Sequence, residues 1–211
     1  MISDLKKKYD IILSRETAMA RTVAAATIKQ KPLSVWEVLL PIIFIFSYIK
    51  SRESREIIAQ NVMFTKKMAM QAALDMLKNG QSRESAMGRI RSTTQEMIAS
   101  VPGGIYSADI RREQLKEIDL LVDHYCSLLN SEGNDYNTLV FNAYRTPGRL
   151  TEFFMRLQKA EESVGLAARK TLGKNADIRA LERMKAAMQG SRLKMTEKIF
   201  DARLRSQNAQ Q

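Results

Sequence analysis

The residues with the greatest capacity for chemistry are the single histidine, His124, and the single cysteine, Cys126. A Cys–His dyad requires a hydrogen bond between the two side chains. Side chains two positions apart on a helix point about 200° away from each other, so His124 and Cys126 cannot form that bond. One histidine and one cysteine also fall short of the ligand set of an ordinary zinc site. We therefore predict no catalytic residue and no metal ligand, and we interpret His124 as a structural residue.

The segments that contain glycine lack the other residues of a nucleotide-binding loop. Asn79 and Gly80 precede one predicted helix, and residues 101–105 precede the next. Neither segment has the Lys-Ser/Thr pair of a phosphate loop or the glycine spacing of a dinucleotide fingerprint. Residues 131–135 contain several oxygen ligands in a row, but such a sequence is typical of an acidic surface turn. We predict no cofactor and no small-molecule substrate, and we expect a protein without enzyme activity.

The composition favours helices throughout the 211 residues. Ala, Met, Leu, Lys, Arg, Gln and Glu are abundant, and all of them are good helix formers. No segment shows strand-like alternation of useful length. A single cysteine cannot form an internal disulfide, and the first ten residues lack the apolar centre of a cleavable signal, so we expect the cytoplasmic compartment. We predict the all-α class: an antiparallel helical bundle with an N-terminal amphipathic helix and a hydrophobic anchor or core helix.

Turn signals and changes of composition divide the chain into four parts. These are a basic amphipathic N-terminal helix (1–32), a hydrophobic membrane-anchor or core segment (33–49), a helical hairpin (50–104) and a C-terminal helical subdomain (105–211). Ser107 is predicted to cap one helix, and Thr146 followed by Pro147 is predicted to begin another. Gly80 is predicted to end the helix before it.

Residues 33–49 differ from the rest of the chain because they are almost entirely apolar. About 17 residues of helix extend roughly 25 Å, which is short of the roughly 30 Å of hydrocarbon in a bilayer. Glu37 and Pro41 lie within the segment. Three interpretations stay open: a buried core helix of a soluble bundle, a monotopic or re-entrant membrane attachment, and a single membrane span. The predicted membrane-contact residues are Trp36, Leu39, Leu40, Ile42, Ile43, Phe44, Ile45, Phe46 and Tyr48.

Both flanks of this segment are basic. Lys29 and Lys31 precede it, and Lys50 and Arg52 follow it. A single span is expected to have an excess of Lys and Arg on the cytoplasmic side only. A segment that enters and leaves the same leaflet would instead bring both flanks to the same anionic lipid surface. We therefore predict that Lys50 and Arg52 contact an anionic surface.

The last predicted helix, over residues 175–206, has an apolar stripe with basic residues on both borders. At 100° per residue, Met184, Met188 and Met195 lie between about 140° and 200° from Arg179. Basic borders of this kind are typical of a helix at a membrane interface, and also of the rim of any buried helix face. Under the first interpretation, the residues that contact an anionic surface are Lys185, Arg192, Lys194, Lys198 and Arg203.

The formal net charge of +11 indicates an anionic partner. Both ends of the chain are basic, and residues 101–146 are acidic. We expect a non-enzymatic scaffold or protein-interaction module at the cytoplasmic side of the cell membrane, with a protein partner or a second copy of the chain as further candidates. The alternative is a soluble, basic, cytoplasmic bundle that binds nucleic acid or oligomerises. Nucleic acid is the weaker candidate because aromatic residues make up only 7% of the chain and no recognition motif is legible.

Overall fold

The computed structural model of the protein describes residues 2–27, 54–100, 106–173 and 178–208. The hydrophobic segment 33–49 lies outside these residues. Within them the prediction of an all-α helical bundle is confirmed, since every regular element is a helix. The seven helices are α1 (Ile2–Thr27), α2 (Ser54–Asn79), α3 (Arg83–Ser100), α4 (Ala108–Asn130), α5 (Tyr136–Tyr144), α6 (Pro147–Leu172) and α7 (Ile178–Asn208).

The helix boundaries follow from local capping chemistry. The Ser107 side chain accepts a hydrogen bond from the backbone N–H of Ile110 at 3.3 Å, so it caps α4 as predicted. Thr146 caps α6 in the same way, and Pro147 occupies the first position of that helix, where its missing N–H has no cost. Gly80 ends α2 with a φ of 62°, a left-handed conformation that glycine adopts without strain.

Contacts between side chains establish the directions of the first, second and last helices. Arg21 of α1 lies 3.9 Å from Glu56 near the start of α2. Further along the bundle, Glu16 of α1 forms an ion pair with Lys66 of α2, so the two helices are antiparallel. The Nε of Arg183 in α7 donates a hydrogen bond of 3.0 Å to the backbone oxygen of the last residue of α1, Thr27. The end of α1 therefore meets the starts of α2 and α7.

The remaining long helices complete this end of the bundle. Arg111 near the start of α4 donates a hydrogen bond of 3.0 Å to Thr94 in the second half of α3, so these helices are antiparallel. The hydroxyls of Ser107 and Thr171, 2.8 Å apart, place the start of α4 beside the end of α6. We call this end of the bundle, where α1, α3 and α6 finish and α2, α4 and α7 begin, the Thr27 end. The three internal segments outside the described residues all connect helices there.

The main core is shared by all seven helices. It includes Ile12, Met70, Met87, Leu121, Leu139, Leu150 and Ile199, one from each helix in chain order. The parts predicted as separate, 1–32, 50–104 and 105–211, therefore contribute to the same core. A second cluster of smaller side chains packs α1, α2 and α7 near the Thr27 end and contains Ala20, Val23, Ala24, Ile58, Ala59, Val62, Met63 and Met188.

No helix within the described ranges combines the length and the apolar character needed to cross a membrane.

Candidate functional site

The centre of the bundle contains charged side chains, an unusual feature because ionised groups are rarely buried unless they are paired. The residues Glu16, Lys66, Glu117, His124 and Arg192 are each less than 8% exposed. They come from α1, α2, α4 and α7, and Glu161 of α6 joins them through an ion pair with Arg192. We call these six residues the buried polar cluster.

The ion pair between Glu16 and Lys66 links α1 to α2. The two side chains are 6% and 5% exposed, and the Lys66 ammonium donates a short hydrogen bond to the Glu16 carboxylate. Burial alone would raise the pKa of Glu16. The positive charge and the hydrogen bond of Lys66 outweigh burial, and the pKa is held below its ordinary value. Glu16 is therefore ionised near neutral pH and depends on Lys66 for its compensating charge.

A second ion pair links α6 to α7. The Arg192 guanidinium donates two hydrogen bonds, of 2.8 and 2.5 Å, to the two oxygens of Glu161. Its cationic carbon also lies 5.6 Å from the centre of the Phe154 ring, within range of a cation–π interaction. This paired, planar arrangement is the geometry that favours arginine over lysine in a protein interior.

The position of Arg192 corrects one predicted surface contact. Arg192 is 4% exposed and paired inside the bundle, so it does not face an anionic surface. The error lies in the width assigned to the apolar stripe of α7. Thr196 and Phe200 are buried as well, so the buried arc extends to about 300° and has Arg192, at about 220°, near its middle.

Glu117 is the buried carboxyl of α4 in the cluster. The Thr65 hydroxyl donates a hydrogen bond of 2.7 Å to it. Burial, and then the negative charge of Glu161, raise the pKa of Glu117 to about 7. When Glu117 is protonated, the cations Lys66 and Arg192 are matched by Glu16 and Glu161 alone. The cluster is then balanced in charge, which favours a proton on Glu117 below neutral pH.

His124 lies at the edge of the cluster and is uncharged. Its Nδ1 is 2.7 Å from the hydroxyl of Tyr144, and its ring stacks on Phe153 with the centres 4.4 Å apart. Burial lowers the pKa of His124 to about 4, so the imidazole is neutral at physiological pH. Cys126 is half-buried, and burial raises the pKa of its thiol, which disfavours the reactive thiolate. The contacts of His124 fit the interpretation of this residue as structural.

The cavity beside Glu16, Lys66 and His124 is too small for a substrate. A cavity of about 10 Å³ is lined by Glu16, Lys66, His124, Tyr136 and Arg192 among others, and this volume is about that of one water molecule. Among the described residues no three His, Cys, Asp or Glu side chains are grouped so that they could hold a metal ion. The arrangement can fix the relative positions of five helices and hold a proton at Glu117.

The other predicted contact residues have different positions. The predicted membrane-contact residues, together with Lys50 and Arg52, lie outside the described residues. Arg203 belongs to α7, but its side chain is not among those that the structure describes. Lys185 forms a half-exposed ion pair of 2.8 Å with Glu162 of α6. Lys194 and Lys198 are exposed one turn apart on α7, so these two remain free to meet a partner.

The sequence contains a signal for the buried charges of the cluster, although it does not predict which charges pair. Glu16 lies four residues from both Ile12 and Ala20, two fully buried positions of α1. Lys66 likewise lies four residues from the buried Val62 and Met70 of α2. Residues four apart share a helix face, so a charge between two apolar stripe positions marks a buried charge.

Comparison of the chain with protein-family models, with curated proteins and with solved structures gives no match.

Proposed function

We propose that this protein is a non-enzymatic helical scaffold or protein-interaction module, attached to the cytoplasmic side of the cell membrane by residues 33–49. The apolar composition of that segment, with the rings of Trp36 and Tyr48 near its ends, is the sequence feature behind the proposal. The observation that carries it is the packing of α1 against α2.

This packing supports an attachment that returns to the side from which it starts. The chain leaves the described bundle after Thr27 and enters it again at Ser54. Both residues belong to the Thr27 end, because α1 and α2 are antiparallel and share the buried Ala20, Val23 and Ile58. Residues 28–53 thus begin and finish on the same end of one folded body.

A single span is difficult to reconcile with the same contacts. It would place α1 on one side of the membrane and α2 to α7 on the other. Glu16 and Lys66 would then lose their buried partners, a cost of roughly 3 to 5 kcal/mol when one member of such a pair is removed. The packing therefore favours the monotopic or re-entrant form of the attachment.

Charge on the two flanks supports the same form. Lys29, Lys31, Lys50 and Arg52 flank the apolar segment, so all four would lie near the same anionic leaflet. Each such cation contributes about 1 kcal/mol of attraction near a lipid surface rich in acidic headgroups. The attraction of these four cations adds to the insertion free energy of residues 33–49, which is small because the segment is short.

The experiment is Ile43→Asp, compared with Ala25→Asp as a control. Ala25 is exposed on α1, so its substitution adds the same charge outside the apolar segment. A carboxylate in the hydrocarbon costs about 2.5 to 3.5 kcal/mol, or about a hundredfold in partition. We expect Ile43→Asp to move the protein from the membrane pellet to the soluble fraction. Circular dichroism should show an unchanged thermal transition for both variants.

Two outcomes would contradict the proposal. If the unsubstituted protein is soluble and Ile43→Asp abolishes its thermal transition, residues 33–49 are part of the core of a soluble bundle, because a buried unpaired charge is strongly destabilising. If the unsubstituted protein does not pellet with membranes but binds duplex DNA with a steep dependence on salt, the nucleic-acid alternative is correct.

A further inference from the structure

The outward face of α6 combines exposed apolar side chains with cations. Met155 is 66% exposed and Leu166 is 57% exposed, two of the three large apolar side chains that are exposed among the described residues. At 100° per residue, Lys159, Arg169 and Lys170 lie within about 60° of Met155, and Leu166 lies between them. Arg156 borders the same face. We call these six residues the α6 strip.

The cations of the α6 strip have no acidic partner within the described residues. The ion pairs between α6 and α7 use Glu161 and Glu162, which bind Arg192 and Lys185 of α7. The carboxylates on the outward face are Glu152, which is exposed, and Glu162, whose charge is compensated by Lys185. On α6 itself, the four cations of the strip therefore face solvent against one uncompensated carboxylate, and exposed Glu182 of α7 lines the same groove as Arg169.

The strip faces away from the helices that flank residues 28–53. The inward face of α6 buries Leu150, Leu157 and Val164, and α6 packs on α4 and α7. The helices α1 and α2 pack on each other and contact α7 and α4 from the other side of the core. A bundle held at a membrane through residues 28–53 leaves Met155, Arg156 and Lys159 free, because they lie in the first half of α6, whereas Arg169 and Lys170 lie in its last turn at the Thr27 end.

We propose that the α6 strip is the docking surface for an acidic protein partner that presents apolar side chains between its carboxylates. This inference rests on the proposed function and gives the partner of the scaffold a chemical class. Arginine and methionine are enriched in protein interfaces, and complementary charge around an apolar centre guides the encounter of two proteins. Met155 and Leu166, three turns apart on this face, would each contact an apolar side chain of the partner, and the four cations beside them would meet its carboxylates.

A protein fits this surface better than a nucleic acid. Two of the six side chains of the strip are exposed and apolar, and a phosphate backbone offers no apolar groups that would cover Met155 and Leu166. Single-stranded nucleic acids are bound by stacking bases on aromatic rings. The third exposed large apolar side chain of the described residues is Leu193, so no aromatic ring is among the three.

The test uses the whole 211-residue chain and a fluorescent synthetic peptide of about 20 residues, which forms a helix with a leucine stripe flanked by glutamates. Fluorescence anisotropy measures the binding of the peptide. The variant is Lys159→Glu with Lys170→Glu. Its control is Lys67→Glu with Lys78→Glu, which makes the same change in charge at a middle and a last-turn position of α2, also exposed. We expect the α6 variant to bind about tenfold or more weakly and the control to stay within about twofold of the original.

A second pair of variants tests the apolar part of the contact. Leu166→Ser should weaken binding, whereas Leu193→Ser, at a site 62% exposed on α7, should not. Equal losses in both members of either pair would overturn the inference, because the contact would then depend on net charge or general hydrophobicity. Absence of peptide binding by the folded protein would also overturn it. The inference would also be overturned if the original protein binds phosphatidylserine vesicles or duplex DNA but not the peptide, and the α6 variant loses that binding.

The inference and the proposed function fail in different measurements. Ile43→Asp protein that is soluble and folded should still bind the peptide with unchanged affinity. Failure of the original protein to pellet with membranes, with peptide binding intact, would contradict the membrane attachment alone.

Discussion

Replacement of Lys66 by methionine tests whether the buried polar cluster holds the bundle together. Methionine has nearly the length of lysine, so Lys66→Met removes the charge and preserves most of the packing volume. It leaves the Glu16 carboxylate, 6% exposed, without the ammonium that compensates its burial. The damage should therefore come from an unpaired charge, with only a small contribution from a cavity.

The expected magnitude follows from that burial. Removal of one partner from a buried ion pair costs about 3 to 5 kcal/mol, and a domain of this size shifts by about 2 to 4 °C per kcal/mol. We expect Lys66→Met to lower the melting temperature by roughly 6 to 20 °C. Glu16→Gln combined with Lys66→Met removes both charges and should recover a large part of that loss. Arg91→Met, from an ion pair whose side chains are 49% and 85% exposed, should have little effect.

Thermal unfolding measures these shifts, and urea unfolding at pH 5 and pH 8, each followed by circular dichroism, measures how the loss of stability depends on pH. In Lys66→Met, burial is no longer opposed by the lysine, so the folded-state pKa of Glu16 should rise above its unfolded value. The folded state then takes up a proton as the pH falls, and the penalty at pH 5 should be smaller than at pH 8. A Lys66→Met protein as stable as the original at both pH values would refute the reasoning. So would a double variant no more stable than the single one.

Three further predictions concern the cluster and the packing around it. Glu117→Gln should be more stable than the original protein at pH 8, by on the order of 2 kcal/mol, and similar to it near pH 5, in urea unfolding; parallel pH profiles would contradict this. The sign follows from the pKa of Glu117, which is raised to about 7 against 4.5, so the contribution of this residue to stability falls as the pH rises between those values. His124 acts in the opposite direction: its pKa is lowered to about 4 against 6.5, so stability rises with pH between those two values. Leu139→Ala should lower the free energy of unfolding by about 2 to 5 kcal/mol because Leu139 is fully buried. A loss no larger than that of an alanine substitution at an exposed position would show that Leu139 is not part of the core. Ser107→Ala should lower the melting temperature by about 2 to 8 °C through the lost cap of α4, and an unchanged transition would contradict that role.

The helices were predictable because their signals are local. Ser107, Gly80 and the Thr146–Pro147 pair each determine a helix boundary through bonds or backbone angles within a few residues. The apolar residues of α4 and α6 repeat with helical spacing, so their buried faces could be predicted as well. The described part of the first helix extends to Thr27, and the rest of the predicted helix, to residue 32, lies outside the described residues.

The buried polar cluster was not predictable in the same way, because its pairs are distant in sequence. Glu16 and Lys66 are 50 residues apart, and Arg192 and Glu161 are 31 residues apart. A helical wheel places Glu16 and Lys66 within apolar stripes and Arg192 at the border of one, but the partner that permits burial is determined only by tertiary packing. Arg192 therefore looked like an interfacial cation, since lysine and arginine at the rim of a stripe normally extend to solvent.

The membrane attachment by residues 33–49 is tested most directly by the sidedness of α1 and α7. Lys6→Cys and Lys194→Cys, each introduced with Cys126→Ser, would place a single exposed thiol on either helix. Membrane vesicles of both orientations are then treated with a maleimide that cannot cross the bilayer. We predict that both thiols are labelled in inside-out vesicles and neither in sealed right-side-out vesicles. Labelling of the two thiols from opposite sides would contradict the account, and so would the absence of the protein from the washed vesicles.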